Sequence, residues 1–91
     1  MNVLATLPGT ADPSRVYVIG GHYDHLGFCD MGSLARGGLR QIHHGADDNA
    51  SGTAGVIISA ATLAEAAKAT DAPKDRRSIF FVLFTGEERG L

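Results

Sequence analysis

The most apolar stretch of the chain is Ile79-Phe80-Phe81-Val82-Leu83-Phe84, six residues with no polar interruption. A run of this length and continuity predicts a strand buried on both faces, because a half-solvated strand would alternate. Residues 51–69 follow a different rhythm. Val56, Ile57, Ala60, Leu63, Ala64 and Ala67 recur at spacings of three and four, so they form one apolar helical stripe, with Glu65 and Lys68 on the polar side. Two shorter β-prone runs precede the helix. Residues 2–7 are stopped by Pro8-Gly9, and residues 16–19 are entered after Ala11-Asp12-Pro13-Ser14, a pattern that predicts a hairpin. Between residues 25 and 46 the periodicity disappears and Gly27, Gly32, Gly37, Gly38 and Gly45 appear, which predicts a loop longer than ordinary connections. Residues 70–77 are polar, contain Pro73 and lead into the apolar run. Strand, helix and strand in that order predict a right-handed crossover unit, the seed of an α/β sheet.

Composition narrows the class. The chain has 91 residues, so it holds one domain at most, and it carries 44% hydrophobic and 20% charged residues, which excludes a disordered or collagen-like polymer. Eight basic against ten acidic residues leave a formal charge of -2, without the basic excess that nucleic acid or an anionic membrane would require. No apolar run approaches the ~20 residues of a membrane span, and the first residues lack the pattern of a signal peptide. The single cysteine, Cys29, excludes an internal disulfide and a cysteine zinc cluster, and reads as an incidental loop thiol.

The candidate chemistry follows from the predicted topology. Ligands of open α/β sheets gather outside the carboxyl ends of the strands. Three polar clusters fall there: Gly20-Gly21-His22-Tyr23-Asp24-His25 after one strand, Gly45-Ala46-Asp47-Asp48-Asn49 before the helix, and Thr85-Gly86-Glu87-Glu88 after the last strand. His22 and Asp24, two apart at a strand end, lean to the same side, as a metal-bound imidazole and its orienting carboxylate do. By itself that pair is no more than a solvated histidine near an aspartate. Asp47, Asp48 and Asn49 would equally serve as helix caps, although two acids and an amide exceed what one cap needs. Glu87 and Glu88 would, alone, make an ordinary surface turn. Together, however, one imidazole and several carboxylates at one sheet edge supply the ligands that Zn²⁺ accepts.

On Gly21-His22-Tyr23-Asp24-His25-Leu26-Gly27, Gly45-Ala46-Asp47-Asp48-Asn49-Ala50-Ser51-Gly52 and Phe84-Thr85-Gly86-Glu87-Glu88-Arg89-Gly90-Leu91, in that order, the chain resembles the co-catalytic zinc aminopeptidases related to bacterial leucyl aminopeptidase, aminopeptidase Y and glutamate carboxypeptidase II. The resemblance implies a zinc-exopeptidase fold, a three-layer α/β sandwich with a mixed, largely parallel sheet, present here as a β-hairpin, a crossover helix and a third strand. It implies a peptide substrate and a site with two Zn²⁺ ions. His22 would bind one zinc, Asp48 would bridge both, Glu88 would bind the other, Glu87 would be the general base toward a dizinc-bound water, and Asp24 would orient His22. A cis peptide bond between Asp48 and Asn49 and an extracytoplasmic or secreted setting are implied too. The family motif assigns no metal to His25, His43 or His44, which read as loop polarity or substrate-side contacts, and Tyr23 is expected to point into packing.

By the same resemblance, two further ligands, an acid and a histidine, would follow the Glu-Glu motif. Residues 1–91 therefore read as a partial zinc metallopeptidase catalytic domain, truncated after that motif and inactive alone, with one sheet face left apolar and exposed. The alternatives are a non-catalytic fragment or interaction domain of the same fold, a carboxypeptidase, or a single-zinc cyclase relative. The middle motif favours the aminopeptidase form.

Overall fold

The computed structural model describes residues 1–28 and 42–90. In chain order the elements are β1 (Val3–Leu7), β2 (Val16–His22), β3 (Gly27–Phe28), β4 (Ile42–His43), α1 (Ala50–Lys68), β5 (Ser78–Phe84) and a 3-10 turn at Glu87–Arg89. Cys29, Gly32, Gly37 and Gly38 lie outside the described residues; the two ends of the long connection pair as the short antiparallel ladder β3–β4.

The apolar run organises the main sheet. β5 is central, parallel to β2 on one side and antiparallel to β1 on the other, so the sheet is mixed with order β1-β5-β2. The expected hairpin between the first two strands does not form. A central strand is paired along both edges, and β5, apolar on both faces, gains more from that position than β1 or β2, whose residues are more mixed. Residues 8–15 are long enough to cross over its start. They are tied there by main-chain N–H groups of Thr10 and Ala11 donating to the Arg76 carbonyl at 2.7 and 2.8 Å, and by Gly9 N–H donating to Ser78 Oγ at 2.9 Å. Gly9 itself must lack a side chain, since a Cβ would sit 2.3 Å from the Arg76 carbonyl oxygen.

The register puts Tyr17, Ile19 and Gly21 beside Ile79, Phe81 and Leu83 on one face. Helix α1 packs on this face: a Cβ on Gly21 would meet the Gly52 carbonyl and Val56 at 3.4 Å. Phe81 and Val56 are buried in that layer, and Val82 is buried on the opposite face. Ile79, Phe80, Leu83 and Phe84 are only half-buried, short of the full burial expected for β5. The reason is cover. One helix shields one face, while on the other Leu4 is 67% and Val18 63% exposed. The expected apolar, exposed face is therefore present.

Helix α1 starts one residue before the expected position because Asn49 caps it, its side-chain oxygen accepting from Gly52 N–H at 3.1 Å. Within the stripe, Val56 is buried and Ala60, Leu63, Ala64 and Ala67 are half-buried, but Ile57 is exposed. At 100° per residue, Ile57 is turned away from a contact line running through Gly52, Val56, Ala60 and Leu63. Glu65 and Lys68 pair at 3.1 Å on the solvent side, as expected. By length and mean hydropathy α1 would pass as a membrane span. Its seating on β2 and β5 makes it the crossover helix of this sheet.

Candidate metal centre

Three chain segments end at the same edge of the sheet. Because β2 and β5 run parallel, both release their polar continuations there, and the crossover requires α1 to begin nearby. The register pairs His22 with Phe84, so the residues after each strand emerge side by side, and Tyr23 N–H still donates to the Phe84 carbonyl at 2.9 Å.

His22 lies at the centre. Its main-chain carbonyl accepts from Asn49 Nδ2 and from Thr53 Oγ1, both at 3.0 Å, which bolts the end of β2 to the first turn of α1. Its imidazole Nε2 is 3.2 Å from Asp48 Oδ1 and 3.8 Å from Glu87 Oε2. On the other side of the ring, Nδ1 is 3.2 Å from the Asp24 main-chain oxygen and 3.5 Å from its carboxylate. The closer partner of Nδ1 is thus the Asp24 carbonyl. The Asp24 carboxylate takes a different load, accepting from Glu87 N–H and Glu88 N–H at 3.3 Å each. It fixes the backbone of the Glu-Glu turn, which Gly86 enters in the left-handed conformation at φ 89°.

Asp24 and His22 feel this arrangement electrostatically. Burial acts most strongly on the Asp24 carboxyl and pushes its pKa up, but the N–H groups of Glu88, Glu87, Asp24 and Gly86 together outweigh it, so the carboxyl lies below the usual carboxylate range. For His22 burial again acts most strongly, here downward. The Asp24 carbonyl and the charges of Glu87, Asp48 and Asp24 overcome it, raising the imidazole above an ordinary histidine.

One ligand atom each from His22, Asp48 and Glu88 lie within 4.8 Å of one another. Two donors on one tetrahedral zinc ion stand roughly 3.5 Å apart, so small side-chain adjustments would let Asp48 share an ion with His22 and another with Glu88. The donor chemistry, one imidazole and two carboxylates, is what zinc accepts. His22 and Glu88 are half-buried, whereas Asp48 and Glu87 open to solvent. The Asp48–Asn49 peptide bond is cis.

All five residues singled out from the sequence, His22, Asp24, Asp48, Glu87 and Glu88, are brought together. Three others join them. Asn49 and Thr53 hold the His22 carbonyl, and Asn49 could have been singled out as the amide of its motif, able both to cap and to donate. His25 Nδ1 lies 3.1 Å from Glu88 Oε1; its place in the cluster after β2, which His43 and His44 do not share, is the signal that could have singled it out. Tyr23 points out of the cluster and is 44% exposed, its hydroxyl donating to the Met1 carbonyl. A groove at the other end of the sheet, lined by Leu7, Tyr17, Leu63, Pro73 and Ile79, is apolar and separate from these groups.

The sequence is similar to a probable zinc metalloprotease of Pyricularia oryzae, 38% identical over 99% of this chain and 15% of that protein. Similar proteins of the same description occur in Leptosphaeria maculans, at 38% identity over 99% of this chain and 18% of that protein, and in Pyrenophora tritici-repentis, at 40% over 99% and 16%. The chain thus spans less than a fifth of the length of these relatives. No solved structure matches it. The family model described as peptidase family M28 matches residues 2–91, and together with the shared edge of His22, Asp48 and Glu88 this places the chain: it belongs to peptidase family M28.

Proposed function

We propose that this chain is the metal-binding front of a zinc aminopeptidase, with His22, Asp48 and Glu88 as zinc ligands and Glu87 as general base. The observation that carries the reading is the convergence of an imidazole and two carboxylates, from three separate segments, within 4.8 Å. The similar fungal proteins are described as probable zinc metalloproteases, which favours zinc over other divalent ions. Asp48, nearest to solvent, is suited to bridge two ions.

Zinc held there supplies Lewis acidity, polarising a peptide carbonyl and lowering the pKa of a water. The protein's own groups do the rest. Glu87 is exposed and its carboxylate lies 3.8 Å from His22 Nε2, beside the ligand set, so it can take a proton from the attacking water as oxygen adds to the carbonyl carbon. When the C–N bond breaks, the same carboxyl returns the proton to the departing amine. Asp24 keeps Glu87 and Glu88 in fixed relation through the two N–H bonds it accepts.

Three ligands shared between two ions, with Asp48 counted twice, give each ion two protein ligands, fewer than the three a catalytic zinc normally has. We therefore expect the 91 residues alone to bind zinc weakly and not to turn over, with the further ligands supplied from outside residues 1–91. The test uses the full-length protein and paired peptides, one with a free amino terminus and one acetylated. The expected result is cleavage of the free peptide alone, abolished by a chelator and restored by zinc. Equal cleavage of both peptides refutes the aminopeptidase reading, and activity that survives the chelator refutes the metal.

A further inference from the structure

We propose that His25 is a positioning residue that holds the Glu88 carboxylate ready for metal, an assignment that rests on Glu88 being a zinc ligand. Its Nδ1 is 3.1 Å from Glu88 Oε1, and an ionised carboxylate can only accept, so Nδ1 carries the hydrogen and donates it. Both side chains are largely withdrawn from water, at 22% and 12% exposure. At such a site the contact is stronger than the same pair on the surface would make.

His25 is itself clamped. A Cβ on Gly45 would come within 2.9 Å of the His25 ring, and Gly45 sits at φ +62°, so the bare backbone of the loop before α1 closes against the imidazole. The His43 ring packs edge-on at 6.3 Å between centroids. The imidazole therefore joins three segments: the stretch after β2 that carries it, the stretch before α1 that carries Asp48, and the turn after β5 that carries Glu88.

Glu88 needs such a partner. Asp24 fixes its main-chain N–H, but that leaves the rotatable bonds of the side chain free. With Oε1 occupied by His25, the carboxylate is held in one orientation and retains a second oxygen for the ion. Hydrogen-bonded partners of metal ligands commonly set affinity in this way, and their loss costs about 10–100-fold in metal binding. Direct ligation by His25 fits less well, because the compact donor trio is His22, Asp48 and Glu88, and His25 is not part of it.

The experiment measures zinc affinity of the full-length protein by competition with a chromophoric chelator, using zinc alone as the probe and circular dichroism to check folding. His25→Ala is expected to weaken zinc binding by about 10–100-fold. His25→Asn, which returns an N–H close to the Nδ1 position but is a poor zinc ligand, is expected to recover most of that loss. In a Glu88→Ala background, His25→Ala is expected to have no further effect, since its action runs through the missing carboxylate. Unchanged affinity in His25→Ala alongside weakened binding in Glu88→Ala overturns this proposal and leaves the ligand set standing. Unchanged affinity in Glu88→Ala overturns the ligand assignment itself. Additive losses without rescue by Asn would make His25 a direct ligand instead.

Discussion

The first turn of α1 offers a substitution whose sign depends on a second residue. Gly52 occupies the third helical position, and a Cβ there would stand 2.4 Å from both Nδ2 and Oδ1 of Asn49. The amide is the end of a side chain, so it would swing away and lose both its bonds, the cap to Gly52 N–H at 3.1 Å and the donation to the His22 carbonyl at 3.0 Å. Loss of an N-cap costs ~1 kcal/mol, and the second bond is worth about 1 kcal/mol. The His22 carbonyl keeps Thr53 Oγ1 as donor at 3.0 Å, so no penalty for a buried orphan is added. Against this loss of about 2 kcal/mol, Gly→Ala in a helix returns roughly 0.5–1 kcal/mol. Gly52→Ala should therefore destabilise the native protein by about 1–1.5 kcal/mol. In an Asn49→Ala background the three nearest obstructing atoms are gone, and the same change should stabilise by up to ~1 kcal/mol. Urea unfolding of the four proteins, followed by circular dichroism and compared at unchanged slope, reads both signs. Equal destabilisation by Gly52→Ala in the two backgrounds would show that Asn49 does not carry the load assigned to it.

Glu87→Gln should keep zinc through dialysis and lose ~10²–10⁴ in rate, whereas Glu88→Ala should lose zinc as well; equal metal loss in both on metal analysis would show the assignment of base and ligand to be wrong. Because the metal-free His22 imidazole has a raised pKa, zinc binding displaces more proton from it than from an ordinary histidine at the same pH. Calorimetry in buffers of different ionisation enthalpy should show proton release on zinc binding that grows as pH is lowered toward the histidine range and is smaller in His22→Ala. The same raised pKa gives the metal-free protein stability that is present at low pH and lost as pH rises through the folded His22 value. Asp24 has the opposite sign: its lowered pKa contributes stability above the unfolded carboxyl pKa that disappears as pH falls through the lower folded value. Asp24→Asn should flatten the acid limb of the melting-temperature profile, and an unchanged limb would remove Asp24 from this role.

What the sequence made legible divides along local and non-local lines. The helix at Ala50–Lys68 and the strand at Ser78–Phe84 are written in short-range periodicity, and both stand within a residue of expectation. The pairing of β1 is not. Pro8-Gly9 is a sound turn signal, yet the turn docks on Arg76 and Ser78 instead of folding β1 onto β2. Which strand takes the centre is decided by a competition among all three, and the run from Ile79 to Phe84 wins it by being apolar on both faces. The partial burial of Phe80 and Phe84 follows likewise from how many layers exist to cover them, a quantity no strand encodes in its own residues.

The site shows the same division at the scale of single side chains. His22, Asp48, Glu87 and Glu88 could be singled out because parallel strands and a crossover must deliver their polar ends to one edge, whatever the detailed packing. Capping and metal binding at residues 47–49 looked like rival uses of the same residues, and the structure gives each use its own residue. Asn49 takes the cap and the His22 carbonyl, so Asp48, one position earlier, is released to face the imidazole. His25 belongs to the same edge cluster, but the family motif gave it no metal. It meets Glu88 across 63 positions of sequence, and its ring has room beside the Asp48 segment because Gly45 has no side chain. A glycine that makes room for a ring leaves no trace at the ring it admits, so the histidine that meets Glu88 was among the three the motif left without a metal.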